Sequence, residues 1–356
     1  MGEAAAIAMD LQALREPIVQ APLAGGPSTA ELAAAVSDAG GLGFLAAGYK
    51  RAAAVRDDLA ALRSLTDAPF GLNIFAPPGT PPDAAAVARY AETLRPEAER
   101  YGVAVGEPRH DDDDYGAKLE LVRAERVPVV SFTFGCPAGE VVARLKAAGC
   151  DVWVTVTNPE EAAEAESAGA DALVVQGFEA GGHRGYFRDE VLADDLGLLA
   201  AVRLVARRVR TPLIAAGGIA DGASVAAALS AGAAAAQVGS AFMLSPEAGT
   251  SAPHRDALAR DGSTRLTRAF SGRRARGIVN RFMVEHDAEA PIAYPDVHHV
   301  TTPIRAAARK SGDPDGINLW AGQAHALAVA EPAGEIVRRL GREAREAAAE
   351  LARRLG

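Results

Sequence analysis

Eight times along the chain an apolar, strand-like run recurs, most often followed by an alanine-rich amphipathic stretch that ends in glycine. The runs begin near Pro17, Gly41, Pro69, Pro128, Cys150, Ala170, Thr211 and Ala233. A repeat of this kind decides architecture before any single motif does. Residues 127–134, 152–157 and 172–176 are apolar on both faces, which suits parallel strands covered by helices and not the alternation of a sandwich. Right-handed crossovers wind such strands one way, so the expected fold is α/β, a (β/α)8 TIM barrel.

Local signals mark the helices. Ser28 followed by Glu31 has capping-box spacing, predicting a helix that runs to Ala39 and stops at Gly40. Asn158 precedes Pro159, Glu160 and Glu161, an N-cap acceptor followed by a proline and two acids, and Gly169 closes that helix.

Two stretches break the rhythm. Between Phe75 and Pro128 lie Pro77, Pro78, Pro81 and Pro82, then a helical piece and the run Asp111-Asp112-Asp113-Asp114, more than one crossover needs. A like-charge run of this sort reads as a solvated loop before it reads as a cation site. Residues 246–324 are irregular and arginine-rich. The expected division is a barrel from 1–76 and 126–245, with 325–356 packing back as C-terminal helices. An insertion at 77–125 and a smaller α-rich subdomain at 246–324 would cover the barrel mouth. The tail from Glu331 alternates acids and arginines at helical spacing, as a surface helix with ion pairs does.

At 356 residues, with 49% apolar and 23% charged residues, the chain is an ordinary globular protein with a sizeable core. Its formal charge is 37 − 46 = −9, so no overall positive field exists for nucleic acid or an anionic bilayer. Residues 222–246 carry no charge over a length that could span a bilayer. Their Ala, Gly and Ser content, broken by Gly232 and Gln237, instead predicts a buried helix and strand. Two cysteines, Cys136 and Cys150, make neither a disulfide framework nor a zinc site. Residues 1–10 lack a cationic leader, and the expected location is cytoplasmic.

In such a barrel the chemistry gathers at the carboxyl ends of the strands. After the last two strands come Ala216-Gly217-Gly218-Ile219 and Gln237-Val238-Gly239-Ser240. Glycines there let backbone amides approach phosphate oxygens, beside a helix amino terminus. Tight turns would use the same residues. After the sixth strand, Gln176-Gly177-Phe178-Glu179-Ala180-Gly181-Gly182-His183-Arg184-Gly185 can lie against a flat ligand and sets an imidazole in the barrel mouth. Asn73, and likewise Gln176, ends a strand with a carboxamide that matches the edge of a heteroaromatic ring such as a flavin. A backbone-bonded amide is the alternative for each. Cys136 has no neighbouring cation to make it a thiolate, and His298-His299 lacks a third metal ligand.

With these pieces quoted, the chain resembles the nitronate monooxygenases, formerly 2-nitropropane dioxygenases, over nearly its whole length. The resemblance also takes in residues 17–26, Ser131-Phe132-Thr133-Phe134-Gly135 and Trp320-Ala321-Gly322-Gln323. It implies noncovalent FMN, with Gly218, Gln237, Val238, Gly239 and Ser240 at the phosphate and Asn73, Gln176 and Gly181 around the ring and ribityl chain. His183 is the implied catalytic residue, a base toward a neutral nitroalkane or an orienting group for a preformed nitronate. An electron would pass from the nitronate to FMN, and reoxidation by O2 would lead to an aldehyde or ketone with nitrite or nitrate. No metal is called for, and the expected state is monomer or homodimer. A substrate similar to propionate 3-nitronate implies detoxification and cationic neighbours, for which Arg184, Lys310 and Tyr294 are candidates. Flavin-dependent NAD(P)H:quinone reductases and enoyl-acyl-carrier-protein reductases share much of the pattern and differ in electron donor.

Overall fold

The computed structural model describes residues 9–189 and 195–356. The strands in chain order are β1 (Ile18–Gln20), β2 (Gly43–Ala46), β3 (Phe70–Phe75), β4 (Val129–Thr133), β5 (Asp151–Val156), β6 (Ala172–Gln176), β7 (Gly182–His183), β8 (Leu213–Ala216), β9 (Ala235–Val238), β10 (Thr264–Thr267) and β11 (Ala275–Ile278). The main sheet has the order β1-β9-β8-β6-β5-β4-β3-β2, with every pairing parallel. A parallel bridge between Val19 and Leu42 brings its two ends together. The Leu42 N–H donates to the Ile18 carbonyl and the Gln20 N–H to that of Leu42, each at 2.9 Å. The eight apolar runs therefore become the eight staves of a (β/α)8 barrel.

Burial follows the both-faces-apolar pattern. Side chains of Val19, Phe44, Val129, Trp153, Val174 and Ile214 fill the barrel interior, with the Phe44 and Trp153 rings 5.5 Å apart. The alternate residues of the strands pack outward beneath the helices. The uncharged stretch forms helix Gly222–Ser230 and strand β9, as its composition predicts. Among the described residues no helix is long and apolar enough to cross a membrane.

Helix Pro159–Ala168 begins at Asn158, whose side chain accepts the Glu161 N–H, and ends on left-handed Gly169. The first barrel helix, Ala30–Asp38, departs from the sequence reading by one residue. Its N-cap is Thr29, which accepts from Leu32 N–H, while the Ser28 hydroxyl accepts from Leu23 N–H and from Gln20 Nε2. The hydroxyl nearest the helix axis wins, and Ser28 is free to brace the β1 loop.

The two irregular regions fold onto one another. Val87, Tyr90, Leu94 and Ala98 share a core with Phe270, Phe282, Val297, Val300 and Ile304, apart from the barrel core. Helix Tyr115–Ala124 instead buries Leu119, Leu121 and Val122 against the barrel, next to β3 and helix Ala52–Leu65. Strands β10, β11 and β7 form a small antiparallel sheet in which Ala275 pairs with His183. The loop after β6 is thereby stitched to the second core.

Helix Ala333–Leu355 packs against helices Gly222–Ser230 and Ala30–Asp38, filling the outer ring between the last crossover and the first. Ile336, Val337, Leu340 and Ala344 face inward, while Arg339 pairs with Glu331 and Glu343 and Arg345 with Glu16. The alternating charges are the outer face of an amphipathic helix.

Candidate active site

A cavity of about 420 Å³ opens at the carboxyl ends of the barrel strands. Asn73, Gln176, Gly181, His183, Gly218, Gln237, Gly239 and Ser240 all line it. Val238 does not, because its side chain alternates outward into the helix-facing core.

One end of the cavity is a cradle of backbone. Gly218 sits at φ +68°, and a Cβ there would lie 3.1 Å from the Glu179 Cβ, so a side chain would be both strained and crowded. A Cβ on Gly181 would come within 2.5 Å of Ala321 and Gly322 backbone, so only glycine lets these loops touch. The Gly218, Gly239 and Ser240 N–H groups have no protein acceptor among the described residues. His325 also lines this end; its Nδ1–H donates to the Gly322 carbonyl at 3.2 Å, which leaves the buried, unpartnered Nε2 of a neutral ring as an acceptor. Three backbone N–H groups left unpaired in one half-buried cradle fit an oxygen-rich anion such as a phosphomonoester.

Along the strand ends the cavity is flat and polar. Asn73 is buried and donates from Nδ2 to the hydroxyls of Ser131 (2.9 Å) and Thr133 (3.0 Å). Its carbonyl oxygen has no protein donor among the described residues and can accept from a ring N–H. Gln176 spends its carboxamide on the loop that follows it. Its Nε2 donates to the His183 carbonyl at 3.0 Å, and its Oε1 accepts from Gly185 N–H at 2.9 Å and Arg184 Nη1 at 3.0 Å. Arg184 is fully buried, donates to the Gln176 and Gly177 carbonyls and does not line the cavity. Lys310 is exposed and also lies outside the lining. The two cations named from sequence are therefore structural or solvated.

The imidazole of His183 is boxed by rings: Phe134 at 5.7 Å, Tyr294 at 5.7 Å and Trp320 at 5.4 Å, all near edge-on. Its Nε2 lies 2.8 Å from Ser271 Oγ. Burial, then the charges of Arg273 and Arg305, lower its pKa to about 3, so the ring is neutral at ordinary pH. Phe134 adopts φ +78° at the end of β4, a rare conformation for a bulky residue, and the Arg273 guanidinium stacks 4.2 Å over its ring. The second wall comprises Tyr49, His298 and Arg305. Tyr49 stacks on His298 at 4.1 Å and lies 3.4 Å from the Tyr294 hydroxyl, and burial pushes its phenol up to about 12.

Sequence reading missed Tyr49, Ser271, Arg273, Arg305 and His325. None lies in a glycine-rich strand end; Ser271 and Arg305 line the mouth only through the second core, and Arg273 lies behind Phe134, outside the lining. Cys136 lies outside the cavity, with its thiol pushed up to about 12 by burial and Glu164. The aspartate run is spent locally. Asp113 pairs with buried Lys118 at 2.7 Å and accepts from Tyr49 N–H, Asp114 accepts from Ala52 N–H, and Asp111 lies 3.1 Å from His299 Nε2.

Comparison with known proteins shows the family. A family model described as nitronate monooxygenase matches residues 8–343. The chain is 43% identical over 348 residues to a nitronate monooxygenase of Pseudomonas aeruginosa, covering 94% of this chain and 98% of the relative. It is 41% identical over 354 residues to one of Paraburkholderia phytofirmans, covering 96% of each. The solved structure of a nitroalkane oxidase from Streptomyces ansochromogenes superposes with a TM-score of 0.93 at 50% identity, covering 96% of this chain and 99% of that one. With a matching model over almost its full length and close relatives on the same barrel, the chain belongs to the nitronate monooxygenase family of oxidoreductases.

Proposed function

We propose that the chain is an FMN-dependent enzyme that uses O2 to convert alkyl nitronates, propionate 3-nitronate among them, into an aldehyde or ketone with nitrite or nitrate. The balance closes for a primary nitronate: R–CH=NO2⁻ and O2 give R–CHO and NO3⁻, or half as much O2 gives NO2⁻. One observation carries the reading, the unpaired backbone cradle at the β8 and β9 ends in the same cavity as a neutral imidazole.

The cradle fits the FMN phosphate. Gly218, Gly239 and Ser240 N–H groups would hold it, and Asn73 Oδ1 would accept from the ring edge. FMN bound there supplies the electron acceptor and the reactivity toward oxygen. The protein's own part is binding and orientation. A preformed nitronate suits His183 better than a neutral nitroalkane, because an imidazole with a pKa near 3 is a weak base toward carbon but a competent hydrogen-bonding partner for an anion. Arg273 and Arg305 add positive potential without a carboxylate within ion-pair distance among the described residues. Phe134, Tyr294 and Trp320 exclude water from the imidazole.

Oxygen-electrode assays of the purified yellow protein with propionate 3-nitronate and with NADH, side by side, test this. Oxygen uptake with the nitronate and scarcely any NADH oxidation is expected. Rapid NADH turnover with a quinone or an enoyl thioester, and none with nitronates, would replace it with the reductase reading.

A further inference from the structure

We propose that Tyr49 limits the size of substrate by standing as a partition between the reaction cavity and a second chamber, and that Asp113 and Lys118 are its positioning residues. The inference rests on the nitronate reading of the cavity and adds to it the residue that decides how long a chain the substrate can carry.

A chamber of about 300 Å³ lies beside the reaction cavity, and Tyr49, Phe75, His298 and Thr302 line both. The wall between the two is therefore one side chain thick. Tyr294 completes it, since its ring meets the His183 imidazole at 5.7 Å and also lines the second chamber. The Tyr49 ring lies flat against His298, 4.1 Å away with 5° between the planes, and edge-on to Phe75 at 5.4 Å. Its hydroxyl is 3.4 Å from that of Tyr294. On the chamber side, Phe75, Ala76, Pro78 and Pro295 provide apolar surface. An alkyl chain extending from the reaction cavity toward that surface would meet the Tyr49 ring first.

The ring stands there because the backbone beneath it is held in a conformation that tyrosine avoids. Tyr49 has φ +67°, in the left-handed region, where Cβ crowds the following carbonyl. Such a residue persists only where its surroundings over-determine it. The insertion supplies the clamp. Asp113 Oδ1 accepts the Tyr49 N–H at 3.0 Å, and Asp114 Oδ2 accepts the Ala52 N–H at 2.8 Å, so two successive aspartates grip the loop after β2. Both aspartates are themselves left-handed, at φ +55° and +61°, which bends the run so that each carboxylate reaches an amide. Asp113 Oδ2 lies 2.7 Å from Nζ of Lys118, whose side chain is fully buried. A buried ammonium holds tightly to its carboxylate, so the ion pair fixes the aspartate and the aspartate fixes the tyrosine.

The partition works by packing, so it selects length and bulk. Removing the ring joins cavity and chamber, whereas removing only the hydroxyl leaves the wall in place.

The test compares 1-hexylnitronate with 1-propylnitronate in holoenzymes of wild type, Tyr49→Phe and Tyr49→Ala. The ratio of kcat/KM, hexyl over propyl, should rise roughly tenfold in Tyr49→Ala, through a lower KM for the longer substrate, and keep its wild-type value in Tyr49→Phe. Two double variants probe the clamp without leaving a lone buried ammonium. Asp113→Gly with Lys118→Met deletes the acceptor and should raise the ratio, while Asp113→Asn with Lys118→Met keeps an oxygen for the Tyr49 N–H and should hold the ratio near wild type. An unchanged ratio in Tyr49→Ala overturns the partition, as does an equal change on both substrates. Equal ratios in the two double variants overturn the positioning role of the ion pair. Anaerobic titration with butanoate and octanoate, planar anions that do not turn over, makes the same comparison through the visible spectrum of the bound flavin, and octanoate should gain affinity in Tyr49→Ala. A wild type that consumes no oxygen with either nitronate, in a protein where that gain is nonetheless seen, would sink the proposed reaction and leave the partition standing.

Discussion

His183 Nε2 and Ser271 Oγ are joined at 2.8 Å, and the same hydroxyl reaches the Arg273 carbonyl at 3.2 Å. A hydroxyl has one proton to give. Given to Nε2, the nearer acceptor, that proton leaves the imidazole N–H on Nδ1, where it can donate to a nitronate oxygen. Ser271→Ala removes this fixed tautomer while leaving the cradle intact. The expected result is roughly a tenfold loss of kcat/KM with nitronates and unaltered flavin content, read by oxygen uptake and visible absorbance. A variant as fast as wild type would show that the serine does not position the ring.

Replacing the imidazole itself separates its two possible roles. His183→Asn should keep FMN and lose most activity on neutral nitroalkanes, where a proton must leave carbon. The loss on preformed nitronates should be smaller, since a carboxamide still donates a hydrogen bond. Unchanged rates on both would remove His183 from the mechanism.

Gly218 tests the cofactor cradle. Because it adopts φ +68° with the Glu179 Cβ 3.1 Å from any added Cβ, Gly218→Val forces the β8 loop to shift. Flavin affinity should drop tenfold or more, measured as FMN released on ultrafiltration, with the far-UV circular dichroism of the barrel preserved. Wild-type retention of flavin would argue that the phosphate sits elsewhere.

His254 carries a stability prediction. Its Nε2 lies 3.1 Å from the Trp320 carbonyl, and burial holds its pKa near 4, below the ordinary value of 6.5. The unfolded chain then binds a proton that the folded one refuses between about pH 6.5 and pH 4, so stability rises with pH through that window. Moving from pH 7 to pH 5 should cost about 2 kcal/mol from this group alone, visible as a lowered denaturant midpoint. His254→Gln should flatten that part of the profile; an unchanged slope would assign the acid sensitivity to other groups.

Much of the frame was legible because it is written in short-range patterns. The eight apolar runs, the Asn158-Pro159 helix start and the glycines after β8 each depend on residues a few positions apart. The misreading at Ser28 has the same origin, since two adjacent hydroxyls look alike until the backbone shows that Thr29 faces the helix. Arg184 and Lys310 looked suitable as substrate cations by type, yet one is turned into the β7 loop and the other into water.

Sequence alone determined the barrel, the strand ends where ligands gather, and the imidazole presented after β6, because periodicity and glycine placement are local properties of a chain. Only the tertiary structure decided which charges surround that imidazole. Ser271, Arg273 and Arg305 lie about ninety residues or more away from His183 along the chain, and they meet it because the second core carries β11 onto β7 and lays helix Asp296–Ser311 along the mouth. Whether an arginine is neutralised by a neighbouring acid or left open to a substrate depends on that long-range packing, which no spacing along the chain encodes.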